Sequence, residues 1–261
     1  PCVIASLLSA GSFILALRYL PESIDLSDQS EHNHRSWGEE MKGMFTNSIS
    51  MLRKGSVGAM IWVTMLFTLG FTVMHAVFIL YTEMDVSSGG LGFSEKDNGR
   101  VFAMIGLFGI FTQGVLIGPL SRRFGTRRLI PYAALTTGLG LVLVPYTQSS
   151  SAWIGLLIVC SLIAIGNGVF QPSSSTYLTQ IARDEGYELG LVMGAQESLG
   201  AFARILGPLT GGIVWELTVR GSFPWDYHTA FHLCGFLMLI SAFLTLRLPH
   251  LEADTTSILD E

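Results

Sequence analysis

Long apolar runs separated by short polar stretches dominate this chain. A bilayer-spanning helix needs about 20 mostly apolar residues. Seven runs approach that length: 1–17, 57–81, 99–120, 129–147, 152–176, 190–214 and 229–246. From Leu129 to Ala182 there is no charged residue, and only the polar stretch "YTQSSS" divides this region in two. The pattern predicts an all-α integral membrane protein, because a soluble chain of this size could not bury nearly every helix on all sides.

Composition supports the membrane interpretation and narrows the chemistry. The chain is 49 % hydrophobic and 13 % charged, against about 25 % charged residues in soluble domains. Its net charge of −5 provides no basic field for nucleic acid. Cys2, Cys160 and Cys234 all lie in apolar runs, with neither a disulfide framework nor a metal-binding spacing. We therefore expect a lipid bilayer as partner, and no nucleic acid, metal or cofactor.

The distribution of Lys and Arg predicts the orientation of the runs. The connections between successive spans lie alternately on the two sides of the membrane. One side has eleven Lys and Arg residues and the other has three, and the positive-inside rule places the side with eleven in the cytoplasm. The eleven residues are Arg18, Arg35, Lys42, Arg53, Lys54, Arg122, Arg123, Arg127, Arg128, Arg183 and Arg247. The loop 18–55, the arginine-rich hairpin, the loop 178–189 and the tail 248–261 are thus predicted to be cytoplasmic. The membrane itself, bacterial inner membrane or eukaryotic plasma or organelle membrane, is left open.

These spans define the predicted domain organisation. Residues 1–17 form one transmembrane helix, 18–55 a cytoplasmic loop, 56–247 a six-helix bundle and 248–261 a tail. In the loop, apolar residues at helical spacing from Trp37 to Leu52 predict an amphipathic helix at the membrane surface. The stretch "EHNH" at 31–34 favours a solvated linker over a metal site. Because the chain begins at Pro1 inside an apolar run, we expect it to be a fragment of a longer protein.

One motif connects the hairpin to a known family. The stretch "GPLSRRFGTRR" at 118–128 resembles the cytoplasmic loop motif of the major facilitator superfamily, G-x-x-x-D-R-x-G-R-R. The matching positions are Gly118, Arg123, Gly125 and Arg127. Arg122 stands at the aspartate position of that motif and Thr126 at the first basic position of its final pair. Such a degraded copy is typical of the second half of these proteins.

A second motif lies in the run 190–214. The stretch "GPLTGG" at 207–212 resembles the glycine- and proline-rich signature of drug:proton antiporters within the same superfamily. The residues that fit it are Gly194, Gly207, Pro208, Gly211 and Gly212. The signature is usual on the fifth helix, and the eleventh is its repeat-related partner. The run also looks like the eleventh helix of tetracycline- and multidrug-efflux-type members.

The resemblance implies an architecture. One helix, a long loop and six further helices match helices six to twelve of a twelve-helix transporter, whose halves are built from 3+3 inverted repeats. The N-terminal six-helix bundle would then be a missing partner. Helices seven, eight, ten and eleven would line the central cavity, with helices nine and twelve as peripheral support.

Polar residues within the runs are the candidate substrate and proton sites. Thr64, Thr68, Thr72 and His75 share one helical face, which faces either a cavity or another helix. Cys160, Asn167, Gln171 and Ser174 lie near one face around the Pro172 kink, and Gln113 is the isolated polar residue of its run. His75 either titrates near neutral pH or hydrogen-bonds within the bundle.

Glu197 and Arg204 are the ionisable pair inside a predicted span. They lie two turns apart on nearly the same face. Burial would raise the pKa of the Glu197 carboxyl and suit it to proton exchange. Arg204 either neutralises Glu197 or holds an anionic substrate. A charge network that only locks helix packing is the alternative.

The motif residues have two interpretations as well. Gly118 and Gly125 permit a tight turn and close backbone approach. The arginines Arg122, Arg123, Arg127 and Arg128 either bond to the carbonyl ends of neighbouring helices as part of a gate or anchor the topology. Gly207 and Gly211 form a G-x-x-x-G face for helix approach, and Pro208 bends its helix.

The predicted function is secondary active transport of a small molecule by alternating access. Proton-coupled efflux by antiport is favoured, and facilitated or proton-symport uptake of a sugar or metabolite is the alternative. A non-transporting receptor or scaffold is a further alternative. An enzyme is disfavoured because no predicted span contains an aspartate or an H-E-x-x-H pair.

Overall fold

The computed structural model describes residues 2–19, 46, 49–147, 152–223 and 225–248. The chain divides into two compact units, Pro1–Lys42 and Gly43–Glu261. The described part of the first unit is helix α1, Cys2–Tyr19, which covers the first predicted span. The predicted surface helix from Trp37 to Leu52 falls largely outside the described residues.

The described residues of the second unit form six long helices. They are α2 (Gly55–Glu83), α3 (Glu95–Phe124), α4 (Thr126–Leu143), α5 (Ala152–Asp184), α6 (Leu189–Thr218) and α7 (His228–Thr245). Short 3₁₀ turns follow α2 at Val86–Ser88 and α4 at Val144–Tyr146. The described residues include no strand. Every predicted apolar run is covered by a helix, so the all-α prediction is confirmed.

Five of these helices are long and apolar enough to cross a bilayer: α2, α3, α4 with its 3₁₀ extension, α5 and α7. Helix α6 is not among them, since Glu197 and Arg204 lower its mean hydropathy. With 30 residues and a rise of about 1.5 Å each, α6 is nevertheless as long as its neighbours.

The helices pack with an internal exchange symmetry. Helix α2 packs against α6 and α7, α4 against α5 and α7, and α3 against α5. Exchanging α2 with α5, α3 with α6 and α4 with α7 carries the α2–α6 pair onto α3–α5, the α2–α7 pair onto α4–α5, and the α4–α7 pair onto itself. Such an arrangement agrees with the 3+3 repeat that the family resemblance implies.

Aromatic stacking and small residues hold the centre of the bundle together. The rings of Phe67 on α2 and Phe170 on α5 stack at 3.6 Å between centroids. Ser241 on α7 donates to the Val63 carbonyl of α2 over 3.0 Å. Gly140 on α4 lies directly against α5, where a Cβ would come 3.2 Å from the backbone nitrogen of Ile163. Close helix approach of this kind is the main source of packing energy within a membrane.

Candidate functional site

The hairpin between α3 and α4 turns at Gly125. Its φ of 75° and ψ of 149° lie in a region open essentially to glycine alone, which agrees with the turn expected there. Gly118 is different, because it lies within α3 and an added Cβ would meet nothing within 4 Å. No other described helix of this unit approaches Gly118, so its role in close backbone approach stays a prediction. The α3 helix continues for six residues beyond it before the chain reverses.

The four arginines of the hairpin have unequal surroundings. Arg127 is half-buried, and its Nη2 donates to the Leu248 carbonyl, 2.5 Å away, just past the end of α7. Arg122, Arg123 and Arg128 are exposed. Arg127 is therefore the member of the cluster that connects the hairpin to the chain just beyond α7.

The threonine stripe on α2 bonds mostly within its own helix. Thr64 is buried and donates to the Ile61 carbonyl over 2.9 Å. Thr72 donates to the Thr68 carbonyl over 2.8 Å, and its hydroxyl also lies 3.4 Å from the Ala203 carbonyl of α6. Of the two expected environments, Thr72 thus faces a helix. Thr68 is half-buried at this junction.

His75 ends the stripe on an exposed position of α2. Its Nδ1 lies 3.0 Å from the Phe71 carbonyl, and its ring packs edge-on against Phe71 at 4.6 Å. The Nδ1 therefore donates within the helix, which leaves Nε2 on the exposed side.

A cavity of about 480 Å³ lies between α3 and α5. It is lined by Gln113, Ile117, Gln171, Pro172 and Ser175. Two of the predicted candidates, one on each helix, thus face the same space. Ser175 follows Gln171 by four residues, so the helical period alone identifies it as a further lining residue.

The backbone of α3 is irregular where it meets this cavity. Residues Thr112–Leu116 form a π-helical turn, and Thr112 donates to the Phe108 carbonyl over 2.7 Å. Opposite this turn, Gly168 of α5 leaves room for the Thr112 side chain, since a Cβ there would lie 3.0 Å from Thr112 Cγ2. π turns are frequent at functional sites, and this one places Gln113 on the cavity wall.

Asn167 lies one helical turn before Gln171 on α5. Its Oδ1 is buried and has no hydrogen-bond partner within the structure. A buried carbonyl oxygen without a donor costs free energy. An amide in this condition near a cavity is a suitable acceptor for a ligand donor or for water.

Glu197 and Arg204 form an ion pair on α6, with 3.1 Å between Glu197 Oε2 and Arg204 Nη2. The spacing of seven residues places both on one face, as predicted. The side chains are 70 % and 54 % exposed on this unit. The expected burial of Glu197 is therefore not supplied by the described residues of this unit.

The glycines of α6 divide into two groups. Gly207 and Gly211 press against α2: a Cβ at Gly207 would overlap the Thr72 side chain, and one at Gly211 would lie 3.1 Å from the Val73 carbonyl. A Cβ at Gly194 or Gly212 would meet nothing within 4 Å, so neither contacts another described helix of this unit, and their packing role stays a prediction.

Pro208 follows the tightest of these contacts. It is exposed, and α6 continues as one helix from Leu189 to Thr218 on both sides of it. The missing backbone donor is tolerated without ending the helix.

Comparison with known proteins identifies the family to which this chain belongs. The family model "Major Facilitator Superfamily" matches residues 2–208 and, in a second overlapping match, residues 114–258. The chain belongs to the Major Facilitator Superfamily. It is accordingly an integral multi-pass membrane protein, as its several apolar helices indicate.

Similar superfamily members include resistance proteins of bacteria. The chain is 23 % identical to multidrug resistance protein 2 of Bacillus subtilis (strain 168), over 72 % of its own length and 42 % of that protein. It is 24 % identical to the class G tetracycline resistance protein of Vibrio anguillarum, over 95 % of its length and 58 % of that protein. The chain spans about half the length of the curated relatives it matches.

A solved structure shares the fold. The POT family transporter PepTSo superposes with a TM-score of 0.56 at 18 % identity, covering 75 % of this chain and 38 % of that one. This likeness shows a common fold.

Proposed function

We propose that this chain is the C-terminal half of a secondary active transporter that exports a small molecule in exchange for protons. Several of its relatives are named for multidrug or tetracycline resistance, and it spans about half the length of these relatives. In this proposal the bundle 56–247 rocks against an N-terminal six-helix bundle around a shared cavity. Residues 18–55 and 248–261 are cytoplasmic, and 1–17 is the sixth helix of the whole protein.

The Glu197–Arg204 ion pair is the observation that carries the proposal. Charged residues in a membrane helix are costly and are retained mainly for function. The two charges neutralise each other on an exposed face of α6, where a second bundle would cover them. Protonation of Glu197 would release Arg204, so the pair responds to a proton with a change in local charge.

In this proposal the uncharged cavity between α3 and α5 binds the substrate. Gln113 and Gln171 offer amide donors and acceptors to a substrate. The buried Oδ1 of Asn167, which has no hydrogen-bond partner within the structure, offers a further acceptor. His75, Thr68 and Thr72 are further candidates along α2. Because His75 is exposed and Thr72 faces α6, we place His75 nearer to the substrate than the threonines.

The hairpin supplies the gate in this proposal. Arg127 connects the hairpin to the chain just beyond α7, while Arg123 is exposed and available to a partner bundle. The substitution Arg123→Ala should change cysteine accessibility on the two membrane sides. Unchanged labelling would indicate that Arg123 only anchors the topology.

Transport by the full-length protein in proteoliposomes tests the proposal. An imposed pH gradient should drive tetracycline or a fluorescent drug across the membrane against the proton flow. Glu197→Gln should reduce this movement at least tenfold, because the neutral side chain cannot take part in proton exchange. Glu216→Gln, an exposed position near the end of the same helix, is the matched control and should transport normally.

Other outcomes identify the alternatives. Flux that does not depend on the gradient would indicate a facilitator. Movement in the same direction as protons would indicate a symporter. Substrate binding without any flux would indicate a receptor or scaffold. Normal proton-driven transport by Glu197→Gln would remove Glu197 from the mechanism.

A further inference from the structure

A cluster of polar side chains joins the end of α4 to the start of α7. Asp226 is buried, and its Oδ1 accepts from the backbone N–H of His228 over 2.9 Å and lies 2.8 Å from His228 Nδ1. The hydroxyl of Tyr146 lies 3.1 Å from Nε2 of His232. The proposed transport mechanism uses none of these residues.

The cluster lies far from the arginine hairpin. Arg127 contacts the chain just past the C-terminal end of α7, whereas His228 begins that helix. The 18 residues of α7 span about 27 Å at 1.5 Å per residue. The histidines are therefore at the opposite end of the bundle, the end that the positive-inside rule places outside the cytoplasm.

The Asp226 carboxylate selects the tautomer of His228. An ionised carboxylate only accepts hydrogen bonds, so we assign the proton to Nδ1 of His228 and a lone pair to its Nε2. Metal-binding histidines are oriented in the same way, with one ring nitrogen donating to a carboxylate and the other facing the ion.

His228 and His232 are four residues apart on one face of α7. Their ring centroids lie 6.0 Å apart. An ion bound at about 2.0–2.1 Å from a nitrogen of each ring lies roughly 3 Å from each centroid, so a single ion can reach both rings. The Tyr146 ring lies 4.9 Å from His228 and 6.0 Å from His232, which places its phenol oxygen beside the same space.

We propose that His228 and His232 bind a divalent transition-metal ion, with Zn²⁺ as the reference case. Tyr146 and water would complete the coordination. Within the described residues, no three His, Cys, Asp or Glu side chains form a metal-binding group, so the site is open and weaker than a closed structural zinc site. The positive end of the α7 dipole opposes the ion, and the Asp226 charge offsets that field.

Binding would have a structural consequence. Both histidines belong to α7, while Tyr146 belongs to the 3₁₀ turn that follows α4. An ion shared by them ties the two helices together at this end of the bundle. Since binding to the folded state alone raises stability, Zn²⁺ should raise the Tm.

Metal titration of the purified full-length protein tests the site, without substrate or gradient. The background carries His32→Gln, His34→Gln and His250→Gln, which removes the histidines that lie outside the described residues. We expect the background protein to bind one more equivalent of Zn²⁺ than its double variant His228→Gln/His232→Gln. His228→Gln and His232→Gln should each weaken binding at least tenfold, and Asp226→Asn about tenfold through loss of orientation. His75→Gln is the control and should bind Zn²⁺ unchanged.

Two outcomes would overturn the proposal. The first is unchanged Zn²⁺ affinity, or an unchanged Zn²⁺-induced rise in Tm, in the double variant His228→Gln/His232→Gln. The second does not require any cluster variant to fold: X-ray absorption of the Zn²⁺-loaded background protein should show the scattering of two imidazoles, and its absence would refute the site.

Discussion

The contact between Gly207 and Thr72 permits a quantitative test of the α2–α6 interface. A Cβ added at Gly207 would lie 2.6 Å from Thr72 Cβ and 3.0 Å from the Thr72 backbone carbon. The backbone atom cannot rotate away, so the two helices must separate. Overpacking of this kind costs about 1–3 kcal/mol.

The matched control is Gly212→Ala on the same helix, where the added Cβ would meet nothing within 4 Å. Both substitutions gain the same helix propensity, about 0.5–1 kcal/mol, so the difference between them isolates the overlap. We expect Gly207→Ala to be less stable than Gly212→Ala by about 1–3 kcal/mol, or a Tm difference of roughly 2–12 °C for a unit of this size. Gly211→Ala, with its nearest atom at 3.1 Å, should fall between them.

Thermal unfolding in detergent with a thiol-reactive fluorescent maleimide measures this difference. Cys160 and Cys234 are free and buried, so they react only when the bundle opens, and Cys2→Ser removes the remaining thiol. Equal Tm values for Gly207→Ala and Gly212→Ala would refute the close approach of α6 to α2. The double variant with Thr72→Ala should recover part of the loss, because the hydroxyl leaves while Thr72 Cβ remains.

Three further expectations concern the hairpin and the cavity. Gly125→Ala should lower the Tm by several degrees, because its φ of 75° and ψ of 149° cost a side chain about 1–3 kcal/mol, whereas Gly118→Ala in open space should not. Arg127→Ala should destabilise the end of α7, visible as faster hydrogen exchange at its last turn, and exchange there should stay unchanged if the Leu248 contact contributes nothing. Gln171→Leu should weaken substrate binding in an equilibrium assay while the Tm is retained; unaltered affinity would exclude the cavity as a substrate site.

The sequence predicted most reliably those features that follow from the helical period or from a run of apolar residues. The apolar runs located the seven long helices of the described residues, and a spacing of seven residues placed Glu197 and Arg204 on one face. The spacing of Gly207 and Gly211 identified a packing face. In each case the property depends on one helix alone, so the helical period is sufficient.

Contacts between two helices were harder to predict from the sequence. Gly194 and Gly212 belong to the same glycine-rich motif as Gly207 but face open space, because a motif does not state which side of α6 meets α2. The joint cavity of Gln113 and Gln171 required the pairing of α3 with α5 and the π turn, neither of which has a signal in the helical pattern. Burial of Glu197 was inferred from its position in an apolar run, and the bundle leaves that face uncovered.

The pairing of α2 with α6 has a consequence for biosynthesis. More than a hundred residues separate the end of α2 at Glu83 from the start of α6 at Leu189, so α2 enters the membrane long before its main neighbour is translated. Its mean hydropathy of 2.0 allows it to remain there alone. Helix α6 has the opposite character, since its own apolarity is marginal for insertion. We expect α6 to be retained in the bilayer through α2, which makes the Thr72–Gly207 contact a requirement for assembly during translation as well as for packing afterwards.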